Sequence, residues 1–384
     1  MKLRGLIYGL PGLPLAAVSI PLIIYLPTFY ARELKIDLAV LGGLLLLARL
    51  WDVVSDPLIG VLTDHTPGRF GRRRPWMVAG TPVVMLGIWQ LFVPAADAGA
   101  LSLFLWALVL YLGWTMVTLP HQSWGAELAP DYHGRTVLAG YREGAQIVGI
   151  VLACALPLLF TEDIKSLSGA ALSGLAWFTV VALPLFVLLA VIVLPDPPVA
   201  KQSSLPWREG WRVMRNNAPF RRLLTAYLLN GVANGFPATL FLLFVSDVLL
   251  APAQAPLLLL IYFLAGVVAT PAWVAFSRRI GKHRAWAISM LWNSAVFVFV
   301  PLLGPGDVWP FIAICVLSGL SLGADLALPS AMQADVVDVD RAATGVERTG
   351  LYFAVWAMGT KPVSYTHLRA HETKANLVCR LLLE

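Results

Sequence analysis

The sequence predicts an all-α, polytopic membrane protein in which two six-helix halves repeat in the same orientation. Three observations carry that expectation. Hydrophobic residues fill 58% of the 384 positions and charged ones 13%, with mean hydropathy +0.75, whereas a soluble domain carries about 25% charge to cover its surface. Ten apolar runs are long enough to cross a hydrocarbon layer of about 30 Å at about 1.5 Å per helical residue, and an eleventh begins near Thr349. A charged loop phrase also recurs at an offset of 210 residues.

The first run, Gly5 to Ala31, carries no charge and no cleavage pattern follows it, so a retained helix is expected. Pro11, Pro14, Pro21 and Pro27 make that helix irregular, which is tolerated where it lines a cavity or packs on neighbours. Leu38 to Thr63 is apolar apart from Arg49, Asp52 and Asp56. Pro75 to Ala96, Ala98 to Ala126, Gly144 to Thr161 and Ser166 to Leu194 complete the first half. After a polar stretch come Leu223 to Ser246, Pro256 to Ser277, Ala285 to Gly306 and Val308 to Ala334. The organisation expected is a six-helix half over 1–195, a central loop over 196–219, a second half over 220–361 and a separate tail over 362–384.

Placing the N-terminus in the cytoplasm puts nineteen basic residues on that side, from Lys2 and Arg4 to Arg341 and Arg348, against Arg32, Lys35 and Lys165 opposite. That is the positive-inside pattern, and it accounts for the net charge of +6 without a nucleic-acid partner. A bacterial inner membrane is the expected location. Cys154, Cys315 and Cys379 are too few and too scattered for a disulfide framework or a thiolate metal site. No nucleophile with a base and no metal-ligand cluster appears, so neither an enzyme nor a cofactor is expected.

The repeat divides the chain. Arg69-Phe-Gly71-Arg-Arg-Arg74-Pro-Trp76 is answered by Arg279-Ile-Gly281-Lys-His-Arg284-Ala-Trp286, Ala126-Glu127 by Ala334-Asp335 and Leu119-Pro120 by Leu328-Pro329, at offsets of 210, 208 and 209. Parallel six-helix halves around a mid-membrane site are the layout of major-facilitator transporters. Gly71 and Gly281 permit tight turns, and the arginines beside them can reach helix-end carbonyls, acidic partners such as Asp64, or lipid phosphates. Two roles stay open for them: latching the helices in one access state, or anchoring topology.

Charges inside the spans point to function. Arg49, Asp52 and Asp56 stand at i, i+3 and i+7, on one helix face. A charge at mid-membrane costs about 2.5 to 3.5 kcal/mol on the lenient scale, so that face must meet a cavity or partner charges. Two carboxylates one turn apart repel until a proton or small cation joins them, although Arg49 and Asp52 could also neutralise each other. Arg142 opens the fifth span, Asp325 lies within the tenth as a second proton or substrate group, and Lys361 lies in the eleventh. His121 could be a pH-sensitive ligand or a polar group satisfied by the carbonyl of a broken helix.

At Ala48-Arg-Leu-Trp-Asp52-Val-Val-Ser-Asp56-Pro-Leu-Ile-Gly60 the sequence resembles the glycoside-pentoside-hexuronide:cation symporters. Tyr8-Gly9, the Gly71 to Trp76 loop, Tyr141-Arg142, Ala334-Asp335-Val-Val-Asp338 and Lys361 support the resemblance. It implies that Asp52 and Asp56 hold the coupling ion, H+ or Na+, with Lys361 beside them, and that Arg142 contacts sugar. Where the family has a fourth-helix acid this chain has Thr118. The sugar-stacking tryptophan falls at Gln122, with Trp124 close by, and the first-helix acid falls at Ala16. The function expected is cation- or proton-coupled symport of a sugar or glycoside by a monomer in lipid. A lysolipid or other amphiphile is the alternative substrate, and a membrane enzyme or receptor the distant one.

From Val363 the chain turns polar in mid-helix. Val363 to Thr373 and Leu377 to Leu383 read as in-frame translations of a transposon-type sequencing adapter. Helix eleven is therefore expected to be incomplete after Lys361 and helix twelve missing. Sequencing an independent clone through this junction should return an uninterrupted apolar helix after Lys361; the same polar string would contradict the adapter reading.

Overall fold

The computed structural model describes residues 2–22, 26–66, 70–95, 97–129, 131–155, 169–195, 212, 214–346 and 348–359. The first span is three pieces, α1 (Lys2–Gly9), α2 (Gly12–Ile20) and α3 (Leu26–Glu33). Proline lacks the N–H that closes a helical turn, and the chain leaves α-helical geometry at Leu10-Pro11 and again at Pro21. There follow α4 (Leu38–His65), α5 (Arg74–Phe92), α6 (Ala100–Leu128), α7 (Tyr132–Ala155) and α8 (Gly169–Val193). The second set is α9 (Ala218–Leu243), α10 (Ala255–Ile280), α11 (Lys282–Phe297), α12 (Val308–Thr344) and the helical residues 349–359, named α13. Seven helices among the described residues are long and apolar enough to cross a membrane by themselves. The sequence suggests ten, and the first span is divided by proline.

Two boundaries differ from the hydropathy reading. The fifth helix begins at Tyr132 rather than Gly144, so Arg142 lies near its middle and does not open it. The tenth runs on past Ala334 to Thr344, so Asp335 and Asp338 belong to the helix rather than to the loop after it. In both places hydropathy falls at charged residues, but those residues have partners and the backbone bonds continue.

α4 is apolar outside and charged inside. Leu46, Leu47, Leu50, Val53, Val54 and Leu58 are exposed along one face, while Ser55, Asp56, Thr63 and Asp64 are buried. In lipid this is the stable arrangement, because the surroundings are as apolar as leucine.

Two clusters of charge join the helix sets at the end of the bundle that holds the basic loops. Arg73, 1% exposed, donates to Asp64 on α4 and to Glu127 on α6, both at 2.6 Å. Asp64 in turn accepts the Gly350 and Leu351 N–H groups at 2.9 and 3.0 Å, at the start of α13. A carboxylate there satisfies amides that the helix cannot. Burial opposes the Arg73 charge, but Glu127 and Asp64 outweigh it and hold the guanidinium above its ordinary value. On the other flank Arg135 of α7 pairs with Asp335 and Asp338 of α12, and Lys282 of α11 pairs with Asp335 and sits 3.7 Å from the Tyr132 ring centre. Gly60 lets α4 meet α13 closely, since a Cβ there would stand 2.7 Å from the Gly350 carbonyl oxygen.

Replacing Arg73 with Ala leaves the buried Asp64 without a cation, while Arg72, 3.1 Å from Glu127, keeps that carboxylate paired. The expected cost is about 3 to 5 kcal/mol, read as a lower melting temperature in detergent, whereas Arg72→Ala should cost less because Arg73 continues to neutralise Glu127.

Candidate functional site

Asp56 is fully buried on α4, and its Oδ1 accepts a 2.8 Å hydrogen bond from the Thr115 hydroxyl of α6. Asp52 stands one turn earlier on the same helix. Thr118, expected at this site, donates instead to the Trp114 carbonyl of its own helix. Thr115, one turn before Thr118 on the helix facing α4, takes the contact. The Arg49 guanidinium lies 4.6 Å from the Tyr111 ring centre on α6. Lys361 and Arg69 lie outside the described residues.

Arg142, 5% exposed, sits in α7 and turns Nε and Nη2 onto the single oxygen Oε1 of Glu143, at 3.1 and 2.5 Å. The sequence reading missed Glu143 because it placed the helix start one residue later. Tyr8 lies beside this pair. Its hydroxyl donates to the His121 carbonyl at 3.0 Å, in space that a Cβ on Gly125 would fill. The His121 ring returns the contact at 2.7 Å to the Tyr8 carbonyl, just before α1 breaks. A carbonyl has no proton to give, so Nε2 carries the hydrogen. His121 is thus the polar group satisfied at a broken helix.

A small cleft joins the two helix sets here. Tyr8, Gln122 and Arg142 line it from one side, and Ser330, Ala331 and Phe353 from the other. Trp124 is fully buried with the Arg74 guanidinium 5.5 Å from its ring centre, and Ala16 packs in α2 against Gly149 of α7. Asp325 accepts from Asn230 and Asn234 of α9, both at 2.6 Å, and from the Trp286 indole at 2.7 Å.

The repeated loop keeps its geometry in both copies. Gly71 and Gly281 have φ of +85° and +89°, where a side chain would be strained. Arg74 donates to the Leu194 carbonyl past the end of α8. Arg279 and Arg284 are exposed, and the second copy makes its buried contact through Lys282 instead.

Comparison with known proteins agrees with this architecture. The family model described as MFS/sugar transport protein matches residues 7–365. The sodium-dependent lysophosphatidylcholine symporter 1 of Gallus gallus is 24% identical over 376 residues, covering 87% of this chain and 70% of the relative. An isoprimeverose transporter of Lactiplantibacillus pentosus is 25% identical over 352 residues, covering 85% and 70%. An uncharacterized symporter of Synechocystis sp. is 23% identical, covering 91% and 80%. The chain spans as little as 60% of one such relative, the Homo sapiens lysophosphatidylcholine symporter. Among solved structures, a bacterial homologue of the iron transporter ferroportin in an outward-facing state superposes with TM-score 0.71 at 14% identity, covering 96% of this chain and 91% of that one. The transporter FucP in its outward conformation gives 0.65 at 13% identity, covering 95% and 98%. An all-α fold with a buried polar centre between two helix sets, matched by the family model over nearly its whole length, makes this chain a member of the MFS/sugar transport family, a multi-pass membrane transporter of the major facilitator fold.

Proposed function

We propose that the protein carries a sugar or glycoside across a membrane together with a proton or a sodium ion, by alternating access. The observation that supports this most directly is the depth at which its charges lie. Asp56 is nine residues from the end of α4 and Arg142 ten from the start of α7, so both stand about 13 to 15 Å inside the basic end. A dry carboxylate at that depth is costly until a cation or proton joins it. Asp52, one turn away, supplies a second ligand for the same ion, and Lys361 is the internal competitor for it. Arg142 and Gln122 face the cleft where substrate would lie.

In this reading the basic end is cytoplasmic, and the Arg73 and Arg135 clusters keep it shut while the site loads from outside. Binding of the cation stabilises the state that accepts substrate, and the loaded protein rocks to the other side. Coupling is then differential affinity of the ion for two states. A lysolipid is the second reading, favoured by relatives named for lysophosphatidylcholine at the same level of identity as the isoprimeverose transporter.

In proteoliposomes with an imposed proton or sodium gradient, Asp52→Asn and Asp56→Asn should each abolish accumulation of a transported glycoside while leaving counterflow exchange. Accumulation that survives in both variants would remove the coupling role. Uptake of lysophosphatidylcholine with none of a glycoside panel would favour the second reading.

A further inference from the structure

Glu143 has no role in the site as the family resemblance draws it, yet it is the carboxylate that Arg142 binds. We infer that Glu143, with Arg142 and Tyr227, forms the subsite that recognises adjacent hydroxyl groups of the substrate, an inference that rests on the sugar reading above. Both Arg142 bonds converge on Oε1, and among the described residues Oε2 takes none. The carboxylate therefore keeps acceptor capacity and the guanidinium keeps donors. A vicinal diol offers one hydroxyl to donate to Oε2 and one to accept from Arg142.

The second helix set supplies an aromatic ring at a similar depth, beyond the residues that line the small cleft. Tyr227 stands nine residues into α9, the same depth from the basic end as Arg142. It is partly exposed and within electrostatic reach of both Glu143 and Arg142. Trp356 of α13 lies 4.4 Å from its ring centre and Trp286 of α11 lies 6.4 Å away, so the ring is held. A pyranose presents hydroxyls at its edge and C–H bonds on its face, and a charged pair opposite a fixed aromatic ring matches both. The pair belongs to one helix set and the ring to the other, so substrate bound here would bridge the parts that move.

The test measures equilibrium binding of methyl α-D-glucopyranoside, methyl β-D-galactopyranoside, methyl β-D-xylopyranoside and their monodeoxy analogues to the full chain in nanodiscs. Glu143→Gln should weaken binding of the preferred glycoside by about 10- to 100-fold. One monodeoxy analogue should bind the wild type that much more weakly and lose nothing further in the variant. Tyr227→Leu should weaken binding about 10-fold and Tyr227→Phe less than threefold; these two leave the ion pair intact, so they test the subsite even if Glu143→Gln fails to fold. Equal losses for every analogue, or affinities within twofold in both Glu143→Gln and Tyr227→Leu, would overturn the subsite while leaving the sugar reading in place. A wild-type chain that binds none of the glycosides would overturn both.

Discussion

Charge in a low-dielectric slab must be answered by charge or by donors, and the arrangement of this molecule follows from that. Asp56 is met by Thr115, Arg142 by Glu143, and Asp325 by two asparagines and an indole. Each contact links helices or fixes a side chain that faces the space between them. Breaking one such pair leaves its partner charged and dry, which costs more than the pair ever contributed. The charges therefore add little net stability. They restrict which helix arrangements are allowed, and a transporter needs two allowed arrangements of similar energy.

In the proposed cycle the basic end supplies the contacts that part. Arg73 gathers α4 and α6, and its partner Asp64 caps α13 from the second helix set. Arg135 and Lys282 meet on Asp335 from α7 and α11. These bonds lie near helix ends, where water would replace them if the halves parted as proposed, so their loss would cost far less than the loss of a mid-membrane pair. The centre keeps its partners within one helix set or one helix. The division lets the ends open without exposing an unpaired charge at mid-depth.

The fold and the second-span carboxylates were legible in the sequence, because both rest on local signals. Hydropathy marks most spans, and Asp52 and Asp56 stand out against an apolar helix. Glycines 71 and 281 were legible for the same reason, since a repeated Gly in a charged turn implies positive φ. What stayed hidden depends on which residues face each other. Nothing in the spacing of α6 separates Thr115 from Thr118 as the partner of Asp56, because both are threonines in one apolar run. Glu143 was hidden by a helix boundary drawn from hydropathy, which cannot see that Arg135, Arg142 and Glu143 are neutralised by partners. Lys282 could not be ranked above Arg279 and Arg284 because the three sit in one basic phrase, and only packing against Tyr132 and Asp335 selects it.

The central claim is that α4 holds the coupling ion through a carboxylate that is otherwise dry. Calorimetric titration of the purified chain with sodium ions, in buffers that also report proton uptake, tests it without knowledge of the substrate. One saturable sodium ion or proton per chain in the wild type, absent in Asp56→Asn, is the predicted result. Unchanged stoichiometry and affinity in Asp56→Asn would contradict the account.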